Sequence, residues 1–462
     1  MKRKLLIGLA AIAVVSIFTG SSNEKLCTTY SIALNKVSPF YDGSWQGITA
    51  ASDGACYFGT ASHKLTHGGG FFRFDPKTKN FEVLTSDLSD LVGETFDKNT
   101  PQGKCHSPII EINGTLYLST HLAAYWSDSV LNRYPGSHIM SYTMATKKWR
   151  DYGIVKPRFS TYSAVQVDVK RGKIYAMIVP FAPEDKKKDG NHLYEIDIKS
   201  GAKRDLGRLS DGMGLFWFYL DDTGKLWMPI WKGSNKLHCY DPETGKITTY
   251  DNAFPEAKLA PDGVPVDTCS FKSPAWTWAQ AIDGGKRCLF TLGDLGGGDE
   301  RLWIFDPSKN IKTKEAFIPV CYIGSTFLSV ALGGDRVYFI QRADYKSQRN
   351  HINEYFRDLP HDASGYEINN LHLKSVALNQ KGPLPFIDHG RIIDQDGRTP
   401  GDISSLAADD KGNVFLNGSW GIKPGDQPTL SLDYGAKKGE NDYKSLTRGE
   451  FFSWVNVSDD LK

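Results

Sequence analysis

The chain has no CxxC pair, no charge excess and, beyond its first residues, no long apolar run. Its seven cysteines (Cys27, Cys56, Cys105, Cys239, Cys269, Cys288 and Cys321) are scattered, which removes the ligand spacing of a zinc ribbon and the dithiol of a redox motif. An odd number cannot all pair internally, so most are expected to be buried in strands, with room for one disulfide. Taking the cations Lys2, Arg3 and Lys4 from the formal +2 leaves about −1, which gives nucleic acid and anionic membrane no electrostatic reason to bind. No segment carries a long helical period. Outside LLIGLAAIAVVSIF nothing approaches the length of a transmembrane helix. That run, behind three cations, has the form of a secretory signal over residues 1–22, leaving 23–462 as a single domain, periplasmic or secreted. Ser21 stands where a lipid-bearing cysteine would be, which argues against an anchor.

What is present is turns and alternation: 45 Gly, 22 Pro and 12% aromatic residues. The segment HSPIIEINGTLYLSTH, residues 106–121, reads as two strands around the two-residue turn Asn113-Gly114. Pairing Ile112 with Thr115 and extending the register places His106 opposite His121, with Cβ atoms about 5 Å apart. Six further turns repeat the design, at Ser52-Asp53-Gly54, Val169 to Gly172, Asp222-Thr223-Gly224, Asp283-Gly284-Gly285, Gly333-Gly334 and Asp410-Lys411-Gly412. A second hairpin family lies between them, in FDPKTKNF, YTMATKKW, IDIKSGAKRD, YDPETGKI and FDPSKN. Two hairpins per repeat give four antiparallel strands. The sequence thus predicts an all-β fold, a seven-bladed β-propeller of four-stranded antiparallel blades. The runs YSIAL at 30–34 and FFSWVNV at 451–457 are expected to complete one blade from both ends of the chain.

In such a fold the start of each first strand and the end of each second strand share one face. Carried to the other hairpins, the register puts Tyr162 opposite Val179, Trp276 across from Asp294, Ser325 opposite Arg342 and Asp402 near Ser419. It adds Trp231 beside Gly214 and leaves His63 just past a strand end. The plainer reading of each residue is structural: a stacked histidine pair, core indoles, a salt-bridged arginine, a strand-capping aspartate. Taken together, Trp231 and Trp276 suit stacking on sugar rings, and Arg342 suits a carboxylate. Removing the proton α to a uronate carboxylate needs a cation, a base near neutrality and an acid for the leaving oxygen. His106, His121 and Tyr162 are the candidates for proton transfer, with Arg342, Trp231, Trp276, Asp294, Asp402 and His63 as substrate contacts. Hydrolysis by the usual route would instead need two flanking carboxylates.

The segments GKCHSPIIEINGTLYLSTH, YPGSHIMSY and IDHGRIIDQDGRTPGDISSLAADDKGNVF resemble secreted seven-bladed propellers of the ulvan lyase and L-rhamnose-α-1,4-D-glucuronate lyase (rhamnohydrolase) group. The resemblance implies action on rhamnose-α-1,4-glucuronate linkages of arabinogalactan caps or ulvan-like polysaccharide. It also implies two histidines on adjacent strands, a tyrosine in the next blade and an arginine one strand further on. His106, His121 and Tyr162 match the first three; Met177, Ile178 and Val179 stand where the arginine is expected. Some members are thought to work from the opposite face through a first-blade histidine, where SWQGI carries Gln46. Three readings follow: an enzyme on acidic polysaccharide, a glycan-binding propeller without chemistry, and a metal-dependent enzyme using His106 and His121 with Asp294 or Asp402. No cofactor is expected in the first two, and a monomer is expected in all.

Overall fold

The computed structural model describes residues 24–125, 127–161, 165–210, 217–229, 235–255, 275–294, 297–323, 329–342, 371–379, 386–421 and 448–462. The signal segment, Cys269, Tyr162, Trp231, Gly214 and Ser325 lie outside them. The described chain is all-β, with three helices of four to six residues in its connections. Among the described residues no helix is long and apolar enough to cross a membrane.

Each of the seven predicted turns joins two antiparallel strands. At Asn113-Gly114 both residues have positive φ (48° and 75°), the backbone that a two-residue hairpin with native twist requires. The first sheet contains Ile48–Ala50, Cys56–Gly59, Phe71–Asp75 and Asn80–Thr85. In the second, the first strand is split into Lys104–Cys105 and Ile110–Ile112, followed by Thr115–His121, His138–Thr143 and Lys148–Ile154. The third is split likewise, into Phe159–Ser160 and Val165–Asp168, before Lys173–Pro180, Asn191–Asp197 and Lys203–Ser210. Tyr219–Leu220 opens the fourth sheet and Ala275–Ile282 the fifth. First strands of successive sheets lie beside one another, a propeller-like arrangement. Apolar layers fill the gaps between sheets; Phe58 of the first sheet stacks on Phe452 at 4.3 Å.

The blade count is corrected. Five sheets, not seven, stand as separate blades, and the remaining strands form one eight-stranded sheet. The cause is Leu26–Ala33, which serves two ladders. Its residues 30–33 pair antiparallel with 451–454, the closure expected from the sequence. Residues 26–29 run parallel to 391–394, which was not expected. At the changeover the Gln395 side chain accepts from the Ser31 amide (2.7 Å) and donates to the Ser31 carbonyl (3.0 Å), substituting for a missing strand.

A side-chain repeat accompanies the sheets. His138, His192 and His372, on third strands, each meet with Nδ1 a fourth-strand carboxylate: Asp151, Asp205 and Asp388 at 2.9 to 3.1 Å. Each aspartate also accepts from the amide of a glycine two residues on, Gly153, Gly207 or Gly390, all at positive φ. The histidine thus ties a bulged fourth strand to its neighbour. His138 has a second carboxylate, Glu94, at 3.0 Å. Burial alone would lower its pKa, but the hydrogen bonds and charges of Asp151 and Glu94 outweigh that and hold it at about 9. Because the folded value lies above the ordinary 6.5, the stabilisation is fully present below about pH 6.5 and is lost as pH rises through 9. Replacing His138 by Gln is therefore expected to cost up to about 3 kcal/mol near neutrality and much less at alkaline pH. Parallel unfolding titrations of both proteins across that range check it.

Candidate functional site

Three short segments meet at the end of the first two sheets where second strands leave and first strands begin. Gly43 bridges Ala61, Ala61 bridges Lys104, and Lys104 pairs with His121, so a narrow ribbon crosses from one sheet to the next. The Ala61 amide donates to the Gly43 carbonyl (2.6 Å) and the Ser62 amide to the Gly103 carbonyl (2.8 Å). The crossing works because the chain is stripped of side chains there. A methyl group on Gly103 would lie 2.5 Å from the Ala123 Cβ, and one on Gly43 would overlap the Trp45 ring.

The ribbon gathers Asp42, Trp45, His63, Lys104, His106 and His121. Asp42 and His63 are buried, and the Asp42 carboxylate accepts from the His63 amide (3.2 Å) and lies 2.8 Å from Nδ1. A carboxylate only accepts, so Nδ1 is the nitrogen that carries a proton toward Asp42. Gln46, whose φ is 62°, holds His106 Nδ1 through its amide oxygen at 3.2 Å. His121 meets the Ser160 hydroxyl with Nδ1 and the Tyr125 hydroxyl with Nε2 (2.7 Å). The rings of His106 and His121 are 5.5 Å apart, edge to face, and Trp45 stacks over His106 at 6.2 Å. The ammonium of Lys104 lies over Trp45 (4.7 Å) and over Tyr125 (5.0 Å), both only partly buried.

Burial dominates the electrostatics. His106 and His121 are 4% and 0% exposed, and desolvation, reinforced by the Lys104 charge, pushes both pKa values well below 6.5. The Lys104 amine is brought down to about 7 by desolvation, which the nearby Asp42 charge only partly offsets. The result is two imidazoles held neutral beside an amine poised near neutrality, in a site closed on its outer side by an indole and a phenol.

The predicted residues separate accordingly. His106, His121 and His63 come together on the expected face. His106 and His121 are not cross-strand partners, however: the register from the turn holds for Ile110 to Ile112 and then shifts by two, so Lys104 takes the place given to His106. Pro108 has no amide for the ladder, and the Ser107 hydroxyl accepts the Ser119 amide instead (2.9 Å). The third sheet repeats the shift: Val167 pairs with Ile174 as expected, but Ser160 rather than Tyr162 faces Val179. Leu332 pairs with Val337 instead of Asp335, two residues out of the expected register, and the expected opposition of Ser325 and Arg342 lies outside the described residues.

Trp276 is a packing residue, not a sugar platform. It is fully buried against Phe254, Phe290 and Phe305, pairs with Leu292 instead of Asp294, and donates its indole N–H to the Trp217 carbonyl at 2.7 Å. Asp402 pairs with Ser419 as expected, Asp294 with Gly297 and Arg342 with Leu371; their side chains lie outside the described residues. Met177, Ile178 and Val179 are buried and apolar. Six described cysteines are free thiols. Among the described residues no three His, Cys, Asp or Glu side chains converge as metal ligands, and the ammonium beside His106 and His121 opposes a second cation there. Asp42, Trp45, Lys104, Tyr125 and Ser160 were not predicted. The signal for Lys104 was its place two residues before His106, on the same side of an extended strand.

No family pattern and no curated protein sequence matches the chain. Among solved structures, a GH74 enzyme from Niastella koreensis is similar with a TM-score of 0.51 at 12% identity, over 84% of this chain and 52% of that one. A prolyl endopeptidase structure gives 0.45 at 9% identity over 90% of this chain and 51% of that one. An oligogalacturonate lyase from Vibrio parahaemolyticus gives 0.42 at 11% over 90% and 91%. The chain spans about half the length of the first two. At such identities the likeness to the GH74 enzyme supports the propeller-like fold alone.

Proposed function

We propose that the protein is a carbohydrate-active enzyme that cleaves rhamnose-α-1,4-glucuronate linkages in acidic plant or algal polysaccharide, by β-elimination or by rhamnose release. The observation that carries this reading is the basic cluster of His63, Lys104, His106 and His121 behind the rings of Trp45 and Tyr125. Aromatic faces and the Lys104 ammonium suit an anionic sugar, and neutral imidazoles suit proton transfer. In the eliminative route a base removes the proton α to the carboxylate, the bond to the leaving oxygen breaks as the double bond forms, and an acid protonates that oxygen. His106 and His121 are assigned these transfers with Tyr162 assisting, and Arg342, Trp231, Asp294 and Asp402 contact the chain of sugars, while His63, buried on Asp42, packs edge-on against the Trp45 ring.

The second reading is a glycan-binding propeller without chemistry. His121 favours it, because both ring nitrogens already have protein partners. The deciding experiment incubates purified protein with arabinogalactan and with ulvan while following the ultraviolet absorbance of unsaturated uronate and the release of rhamnose. Absorbance establishes elimination, and rhamnose alone establishes hydrolysis. Binding without either product selects the second reading.

A further inference from the structure

Lys104 is 5% exposed, yet among the described residues its ammonium has no carboxylate at ion-pair distance and no hydrogen-bond acceptor. Its described contacts are two ring faces. A desolvated cation in this state is unfavourable, since cation–π contact recovers only about 1 to 2 kcal/mol of what hydration supplied. Proteins seldom retain such a charge without a counterion. Asp42, the buried carboxylate of the cluster, is committed to the His63 amide and ring. The neighbours of the ammonium are imidazoles, which in their neutral form do not supply an anion. Of the described groups around the ammonium, Trp45 and Tyr125 are the two that are partly open to solvent. An anion arriving on that side would hold the amine in its charged form.

We propose that Lys104 is the carboxylate-binding group of this protein, holding the acid group of a uronate in the slot between Trp45 and Tyr125. The inference rests on the acidic-glycan reading for its ligand class and assigns the charge recognition to a residue that the lyase-like pattern does not contain. It has a consequence for pH. The groups that face Lys104 are Asp42 and His63 from the first sheet's loops, and His106, His121 and Tyr125 from the second. Lys104 titrates near 7 while the two imidazoles of the second sheet remain neutral at that pH. An anion binds the protonated amine, so affinity is fullest below about pH 7 and falls about tenfold per pH unit above it, with proton uptake on binding.

The test is calorimetric titration of the full chain with glucuronate and with uncharged glucuronamide, on wild type, Lys104→Met and Lys104→Arg, at mildly acidic and at alkaline pH. The expected result is glucuronate binding that wild type loses with rising pH, that Lys104→Met weakens about thirtyfold or more, and that Lys104→Arg retains in part without the alkaline loss. Lys104→Met is expected to melt no lower than wild type, because it removes an uncompensated buried charge; a merely structural lysine would give the opposite. Equal binding of glucuronate and glucuronamide by wild type, or undiminished glucuronate binding by a folded Lys104→Met, overturns the proposal. Lys104-dependent binding of glucuronate with no effect on any polysaccharide upholds the site and sinks the enzymatic reading. Cleavage of polysaccharide that is indifferent to Lys104 does the reverse.

Discussion

His121→Ala is expected to lower turnover of glucuronate-linked polysaccharide by about a hundred- to ten-thousandfold, the usual contribution of a positioned acid or base. The imidazole lies between the Ser160 and Tyr125 hydroxyls and against the His106 ring, so its loss also leaves two polar groups to find other partners. That second effect costs about 1 to 3 kcal/mol of stability, well short of unfolding an average domain. Initial rates and thermal melts on the same preparation separate the two effects. A variant that melts lower but keeps its rate would assign His121 to the scaffold. The acid limb of the wild-type rate profile is informative as well. A base must be unprotonated, and burial holds His106 and His121 well below 6.5, so activity is expected to persist on the acid side of an ordinary histidine titration.

Trp276→Ala is expected to destabilise the fold by about 3 to 5 kcal/mol, measured by denaturant unfolding. The indole fills the layer between the fourth and fifth sheets, with ring centroids of Phe290 and Phe305 at 5.5 and 5.8 Å, and its removal leaves both a cavity and the Trp217 carbonyl without its donor. Such a loss is a large share of the stability of a typical domain. Had Trp276 been a sugar platform, the same substitution would raise KM and leave the unfolding curve in place. The two outcomes are readily distinguished.

These two tryptophan and histidine cases show where the sequence is readable and where it stops. Local turn chemistry is readable: Asn113-Gly114 defines its hairpin, Asp402 faces Ser419, and residues 30–33 meet 451–454. Register fails where it is carried through an interruption. Pro108 interrupts one first strand, another is described in two parts, Phe159–Ser160 and Val165–Asp168, and between the parts of each the pairing is offset by two. A shift of two preserves which face a side chain occupies, so His106 and His121 still meet although their partners were wrong. Burial is the other gap. An alternating strand shows which residues share a side, but not that Trp276 faces a neighbouring sheet while Trp45 covers the site. Lys104 was hidden for a third reason. Its role depends on Asp42, Trp45 and Tyr125, which approach it through glycine-lined crossings between sheets, and no spacing along the chain encodes that approach.

The strand at residues 26–33 has a consequence for the order of folding. Its partners, 391–394 and 451–454, come more than 350 residues later in the chain, so during synthesis it must wait while every intervening sheet forms. Until then two strand edges stay unpaired, one beside 391–394 and one beside 451–454, each able to recruit the wrong chain. Closure is thus a late, long-range step, and it supplies parallel and antiparallel pairing together through one short strand. A refolding experiment should show the interior of the sheets protected from hydrogen exchange before the amides of residues 26–33, with concentration-dependent misassembly confined to the interval between.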